Sequence, residues 1–118
     1  MLWEVEYSDE FAGWWDHLTE DEQMSVNAKV MLLQQYGPAL RRPHVGHIVT
    51  SRHPNMKELV VQHAGRPIRV LFAFDPRSCG YLIVGGDKTG DDRWYEIVVP
   101  RADAIYEQHL NEIKKEKI

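Results

Sequence analysis

The chain has 118 residues, 43% of them hydrophobic and 27% charged, with a formal net charge of -4. That size fits one domain with one modest core. The single cysteine, Cys79, excludes an intramolecular disulfide, no apolar run approaches the ~20 residues of a membrane helix, and the acidic, alternating N-terminus is not that of a signal peptide, so a reduced, cytoplasmic protein is expected.

In chain order, Trp3 to Tyr7 alternates apolar and acidic residues, the pattern of a half-buried strand. Ser8 or Asp9 can cap a short helix with Phe11, Trp14, Trp15 and Leu18 on its apolar face. Thr19-Glu20-Asp21-Glu22 is a capping box for a second helix, with a stripe of Val26, Val30 and Leu33 and a stop at Gly37-Pro38. Residues 38–55 contain Pro38, Pro43, Gly46 and Pro54 with few strand formers, and read as an irregular basic loop. Leu59 to Gln62, Ile68 to Phe74 and Tyr81 to Val84 read as an antiparallel meander, with turns at His63-Ala64-Gly65 and Asp75-Pro76-Arg77-Ser78. Pro100, at a first helical position, starts a last helix with Ala102, Ile105, Tyr106, His109 and Ile113 on one face. Lys114-Lys115-Glu116-Lys117 reads as a solvated, frayed tail. The predicted architecture is a single α+β domain over residues 1–118, with helices packed on one face of a small antiparallel sheet in the order β-α-α-β-β-β-α.

The acidic total hides an asymmetry. Residues 1–35 carry eight acids and one base, whereas residues 41–69 carry six bases and one acid, Glu58. His44, His47, His53 and His63 lie in the basic segment and add charge on mild acidification. An anionic partner is therefore expected, but not non-specific coating of DNA, which suits a chain that is basic throughout.

Gly85-Gly86-Asp87-Lys88-Thr89-Gly90 lacks the first glycine of a Walker loop and has no helix signal directly after it, so nucleotide binding is not expected there; Lys88 beside free backbone N–H groups still suits a phosphate contact. His44, His47 and His53 show neither HExxH spacing nor a cysteine pair, and no metal site is expected. No nucleophilic-serine pattern is present. Ile68, Val70 and Phe72 share one face of their strand, which leaves Arg69 and Leu71 on the other. Arg69 is then either a cation for an anionic ligand or an edge arginine paired with Glu58 or Glu96. Cations beside the aromatic pair Trp94-Tyr95 suit a polyphosphate whose bases can stack, that is, RNA.

Lys57-Glu58-Leu59, then Gly65-Arg66-Pro67-Ile68-Arg69-Val70-Leu71-Phe72, the Gly85 to Tyr95 segment and the closing Pro100 to Leu110 helix resemble the RelE/HigB superfamily of toxins from type II toxin–antitoxin systems, and the phage-derived HigB-like branch in particular. The resemblance covers nearly the whole chain and implies a RelE-like fold. It also implies an mRNA interferase that cleaves translated mRNA on the ribosome, needs no metal or other cofactor, and is restrained by a helix-turn-helix antitoxin. In such folds the ribose 2′-OH attacks the adjacent phosphate. Arg69 matches the arginine that stabilises the phosphate, Lys88 the basic residue after the last strand, and Trp94 or Tyr95 the aromatic position, with Tyr95 assigned to the catalytic set. Lys57 and Arg66 match further phosphate contacts, and Arg41 and Arg42 lie in the loop expected to hold RNA backbone. Where some members present cations on the strand before the turn, this chain has Val60 and Gln62. A 2′-OH must lose a proton, and His63 and Tyr95 are both candidates to take it. A different class, a non-catalytic binding module, also fits the resemblance: a ParE-like gyrase-directed toxin, or an inactive homologue that only binds its antitoxin.

Overall fold

The computed structural model describes residues 1–116. Strand β1 spans Val5–Tyr7, helix α1 Asp9–Asp16 and helix α2 Glu20–Tyr36, followed by a single 3-10 turn, Gly37–Ala39. Strands β2 (Val45–His47), β3 (Lys57–His63), β4 (Arg66–Phe74) and β5 (Gly80–Asp87) precede helix α3 (Trp94–Glu116). The five strands form one sheet in the order β1-β5-β4-β3-β2.

Local chemistry sets the starts of α1 and α2 as the sequence predicts. The Ser8 hydroxyl accepts a hydrogen bond from the Phe11 backbone N–H and donates to the Ile83 carbonyl, which ties the start of α1 to β5. At α2 both halves of the capping box are made: Thr19 N–H donates to Glu22 Oε1 at 2.8 Å, and Glu22 N–H donates to Thr19 Oγ1 at 3.2 Å. The stop at Gly37 is steric as well as conformational. Its φ is +57°, and a Cβ there would lie 2.3 Å from the Trp3 ring.

The alternation of β4 divides the core. Ile68, Val70 and Phe72 pack with Phe11, Val26, Leu33 and the flanking Trp14 and Trp15, beneath α1 and α2. Leu71 and Ala73 pack with Ile83, Val84, Trp94, Val99, Ala102 and Tyr106, beneath α3. Fully burying one such aliphatic or aromatic side chain is worth about 1.5–3 kcal/mol, so each helix layer is held chiefly by its apolar stripe.

Several expectations change. The sheet is mixed rather than antiparallel, because β1 runs parallel to β5. Helices cover both faces rather than one, because β4 is apolar on both sides and each side needs a cover. The loop expected over residues 38–55 contains β2, which pairs antiparallel to β3 through Val45–Leu59, Gly46–Glu58 and His47–Lys57. Helix α3 begins at Trp94, six residues before the predicted start at Pro100. Asp91 caps it, with its Oδ1 accepting from Arg93 N–H and its carbonyl accepting from Trp94 N–H. Pro100 is tolerated inside α3 because it lies on the exposed face, where the carbonyl it leaves without a donor can meet water. Residues 114–116 continue the helix instead of fraying, and Lys117 lies outside the described residues.

Candidate active site

The site begins with the pleat of β3 and β4. Val60 pairs with Arg69 and Glu58 with Leu71, so Glu58, Val60, Arg69 and Leu71 project from the α3 side of the sheet. Helix α3 covers Leu71 but stops short of the strand ends near the β3–β4 turn, where Gln62 is exposed and Val60 half-buried. Arg69 lies in that gap. Its Nη1 donates to the Ile68 carbonyl at 2.9 Å and to the Val61 carbonyl at 3.4 Å, and its Nε sits 3.5 Å from Glu58 Oε1. Both side chains of the pair keep 14% of their surface exposed. Of the two partners the sequence offered, Glu58 is the one that pairs; Glu96 pairs with Arg93.

The start of α3 supplies the other wall. Tyr95 OH donates to Glu58 Oε1 at 2.6 Å, and Lys88 Nζ stands 5.8 Å from the centre of the Tyr95 ring. Burial, and then the bond to the Glu58 carboxylate, push the Tyr95 phenol up to about 12. Tyr95 therefore keeps its proton at neutral pH and acts as a donor. Arg69 of β4 and Tyr95 of α3 thus meet at one carboxylate, with Lys88, just after β5, on the Tyr95 ring.

Trp94 has a different setting. It is 7% exposed, stands edge-on to Tyr95 with ring centroids 5.0 Å apart, and lies against Gly86, where a Cβ would come within 2.9 Å of the indole. Its ring is used in packing and is not offered to a base. Gly85 does the same on the other face, since a Cβ there would fall 2.3 Å from Trp14. Both glycines lie inside β5. They let one tryptophan from each helix layer close on the strand, and they do not form a phosphate loop.

A model of the phage derived protein Gp49-like family matches residues 13–107. The chain belongs to that family. Among its relatives, the candidate toxin HigB3 of Mycobacterium tuberculosis (strain H37Rv) is 44% identical over 98 residues, covering 82% of this chain and 84% of HigB3. The candidate toxin HigB2 of the same organism is 34% identical over 111 residues, which is 92% of this chain but only 55% of HigB2. An arginine-to-alanine double mutant of the E. coli toxin RelE, solved in the free state, superposes with a TM-score of 0.60 at 11% identity, over 83% of this chain and 96% of RelE. The family and the α+β fold are therefore of the RelE/HigB type, as the sequence implied.

The remaining candidates do not join the Arg69 cluster. Lys57 pairs with Phe72 and so projects from the opposite face, where it lines a shallow depression with Arg41, Arg42, Leu40 and His47. Arg66 is tied by two carboxylates, Glu22 Oε2 at 2.5 Å and Asp87 Oδ2 at 2.9 Å. Arg52 is likewise held by Asp103 and Glu107. Three bases of the segment, Arg52, Arg66 and Arg69, are thus paired within the fold. Of the cations predicted to touch RNA, Arg41, Arg42, Lys57 and Lys88 have no carboxylate partner among the described residues. His63 is turned away as well, with Nδ1 2.7 Å from Ser25 Oγ of α2. The sequence singled out Glu58 only as a partner for Arg69. Its central place was hidden because it depends on α3 starting early enough to bring Tyr95 over the sheet.

Proposed function

We propose that this chain is the toxin of a type II toxin–antitoxin system and acts as an endoribonuclease on translated mRNA, in the ribosome and without a metal. The observation that carries the proposal is the meeting of Arg69, Lys88 and Tyr95 on the part of the sheet that α3 leaves uncovered. The names of the relatives and the RelE-type fold support the toxin class.

In this mechanism an RNA strand lies across the exposed ends of β3 and β4. Arg69 Nη1 already donates to two backbone carbonyls, so its guanidinium is held before substrate arrives. A preorganised cation of this kind stabilises the phosphorane more than the ground-state diester, because the phosphorane carries more negative charge. Lys88 adds a mobile charge at the rim. The cut leaves a 2′,3′-cyclic phosphate and a 5′-hydroxyl, because the nucleophile is internal. Arg41, Arg42 and Lys57, on the other face, hold RNA backbone away from the cut, and a helix-turn-helix antitoxin restrains the toxin.

Induced expression followed by mapping of transcript 5′ ends tests the proposal. New 5′-hydroxyl ends inside translated reading frames are expected. Intact transcripts with accumulating DNA breaks would replace this proposal with a gyrase-directed toxin.

A further inference from the structure

Removing a proton from the 2′-OH requires a base near Arg69, and neither sequence candidate serves. His63 faces α2 across the sheet and is bonded to Ser25. Tyr95 holds its phenolic proton and spends it on Glu58.

Glu58 has the opposite character. Its Oε1 is fixed by Tyr95 OH at 2.6 Å and faces Arg69 Nε at 3.5 Å, whereas no donor bonds Oε2 among the described residues. Space for Oε2 is kept by the cross-strand partner, Gly46 of β2: a Cβ built there would lie 3.3 Å from Oε2 and 3.5 Å from Glu58 Cγ. A half-buried carboxylate with one oxygen anchored and the other left open is oriented to accept a proton, not merely to balance a charge. The charged and titratable groups facing it are Arg69 from β4 and Tyr95 from α3, with Lys88 beyond the Tyr95 ring; β2 contributes only the Gly46 backbone.

We propose that Glu58 is the general base of this site and takes the 2′-OH proton through Oε2, while Tyr95 and Gly46 position it. The assignment rests on the endoribonuclease proposal above. In the step, the 2′-oxygen loses its proton to Oε2 and forms a bond to the adjacent phosphorus, and the bond from phosphorus to the 5′-oxygen breaks. The leaving oxygen takes a proton from solvent, and Glu58 releases its acquired proton to solvent, so the enzyme returns unchanged.

The test is single-turnover cleavage of mRNA by the purified chain on programmed ribosomes, across pH. For the wild type the rate should rise with pH along an acid limb, as cleavage by a carboxylate base does. Glu58→Gln keeps the shape of the side chain and an oxygen for Tyr95, and should lower the rate by about 10²–10⁴ and remove that acid limb. Glu58→Asp should restore part of the rate together with the limb. Binding of an RNA carrying a 2′-O-methyl group at the cut site should survive Glu58→Gln. Gly46→Ala keeps the carboxylate but crowds Oε2, and should slow cleavage without loss of helical content, which gives a reading even if Glu58→Gln folds poorly. A Glu58→Gln enzyme at or near the wild-type rate, or one that keeps the acid limb, overturns the assignment while leaving the endoribonuclease in place. A wild-type chain that cuts no RNA overturns both.

Discussion

Two arginine–carboxylate clusters flank β4, and they are built to opposite specifications. In the turn after the strand, Asp75 has a side chain with no exposure. It accepts hydrogen bonds from Arg77 Nη2 at 2.6 Å, Arg77 N–H at 2.8 Å, His109 Nε2 at 2.9 Å and Cys79 N–H at 3.3 Å. Burial alone would raise its carboxyl, but the bonds from Arg77 and His109 outweigh that and hold it below the usual range. Near the other end of the strand, Glu58 has one anchored oxygen and one open one, and Arg69 meets it at the looser distance of 3.5 Å. Through Arg77, which also pairs with Glu6 of β1 at 2.8 Å, and through His109 of α3, the saturated cluster fixes β1 and α3 to the turn before β5. An unsaturated one leaves hydrogen-bonding capacity that a substrate can take up. Arginine beside a carboxylate therefore says little about role until the unused donors and acceptors are counted.

The comparison breaks most visibly at Arg69. Arg69→Ala should lower RNA cleavage by about 10²–10³, the usual cost of one preorganised donor to a developing anion, with the circular dichroism of the fold retained. A folded Arg69→Ala protein that still arrests growth would remove Arg69 from the site. Asp75→Asn should do the reverse. It leaves Arg77 and His109 facing a neutral amide, and should cost about 2–3 kcal/mol of stability in urea titration, with cleavage per folded molecule unchanged. A loss of activity greater than the loss of folded protein would show that the closed cluster also serves catalysis.

A third cluster sharpens the contrast with a smaller effect. Glu22 is held down to about 2, first by the Thr19 backbone N–H and then by the Arg66 side chain. Its folded value lies below the ordinary 4.5, so its contribution to stability is present above 4.5 and fades as the pH falls toward 2. Glu22→Gln should flatten the decline of the urea midpoint over that window. An equally steep decline in the variant would assign acid unfolding to other carboxylates.

How much of this was legible in the chain follows the range of the forces. The capping box at Thr19–Glu22 and the split of β4 into an Ile68–Val70–Phe72 side and an Arg69–Leu71 side are local patterns, and they read correctly. Cys79 is buried and its thiol is pushed up to about 11, first by burial, which suits an unreactive residue. Strand β2 was missed because three residues, Val45–His47, carry too short a pattern, and β3 is what makes them a strand. The start of α3 was missed because Pro100 is the stronger local signal, yet the burial of Trp94 against Gly86 and the cap from Asp91 set the boundary. At the candidate site, only the proximity of Arg69, Lys88 and Tyr95 was legible, through the resemblance. The separation of Lys57, Arg41 and Arg42 onto the other face was not, because it depends on pleat and register.

The most direct measurement uses programmed ribosomes carrying an mRNA with a single 2′-deoxynucleotide on the 5′ side of the mapped cut. If the Arg69 cluster works by internal attack, the unmodified message should be cut to a 2′,3′-cyclic phosphate and a 5′-hydroxyl, and the deoxy message should stay whole at that position. Cleavage of the deoxy message at the same bond would contradict the account, because the hydroxyl that the cluster is held to act on would then be dispensable.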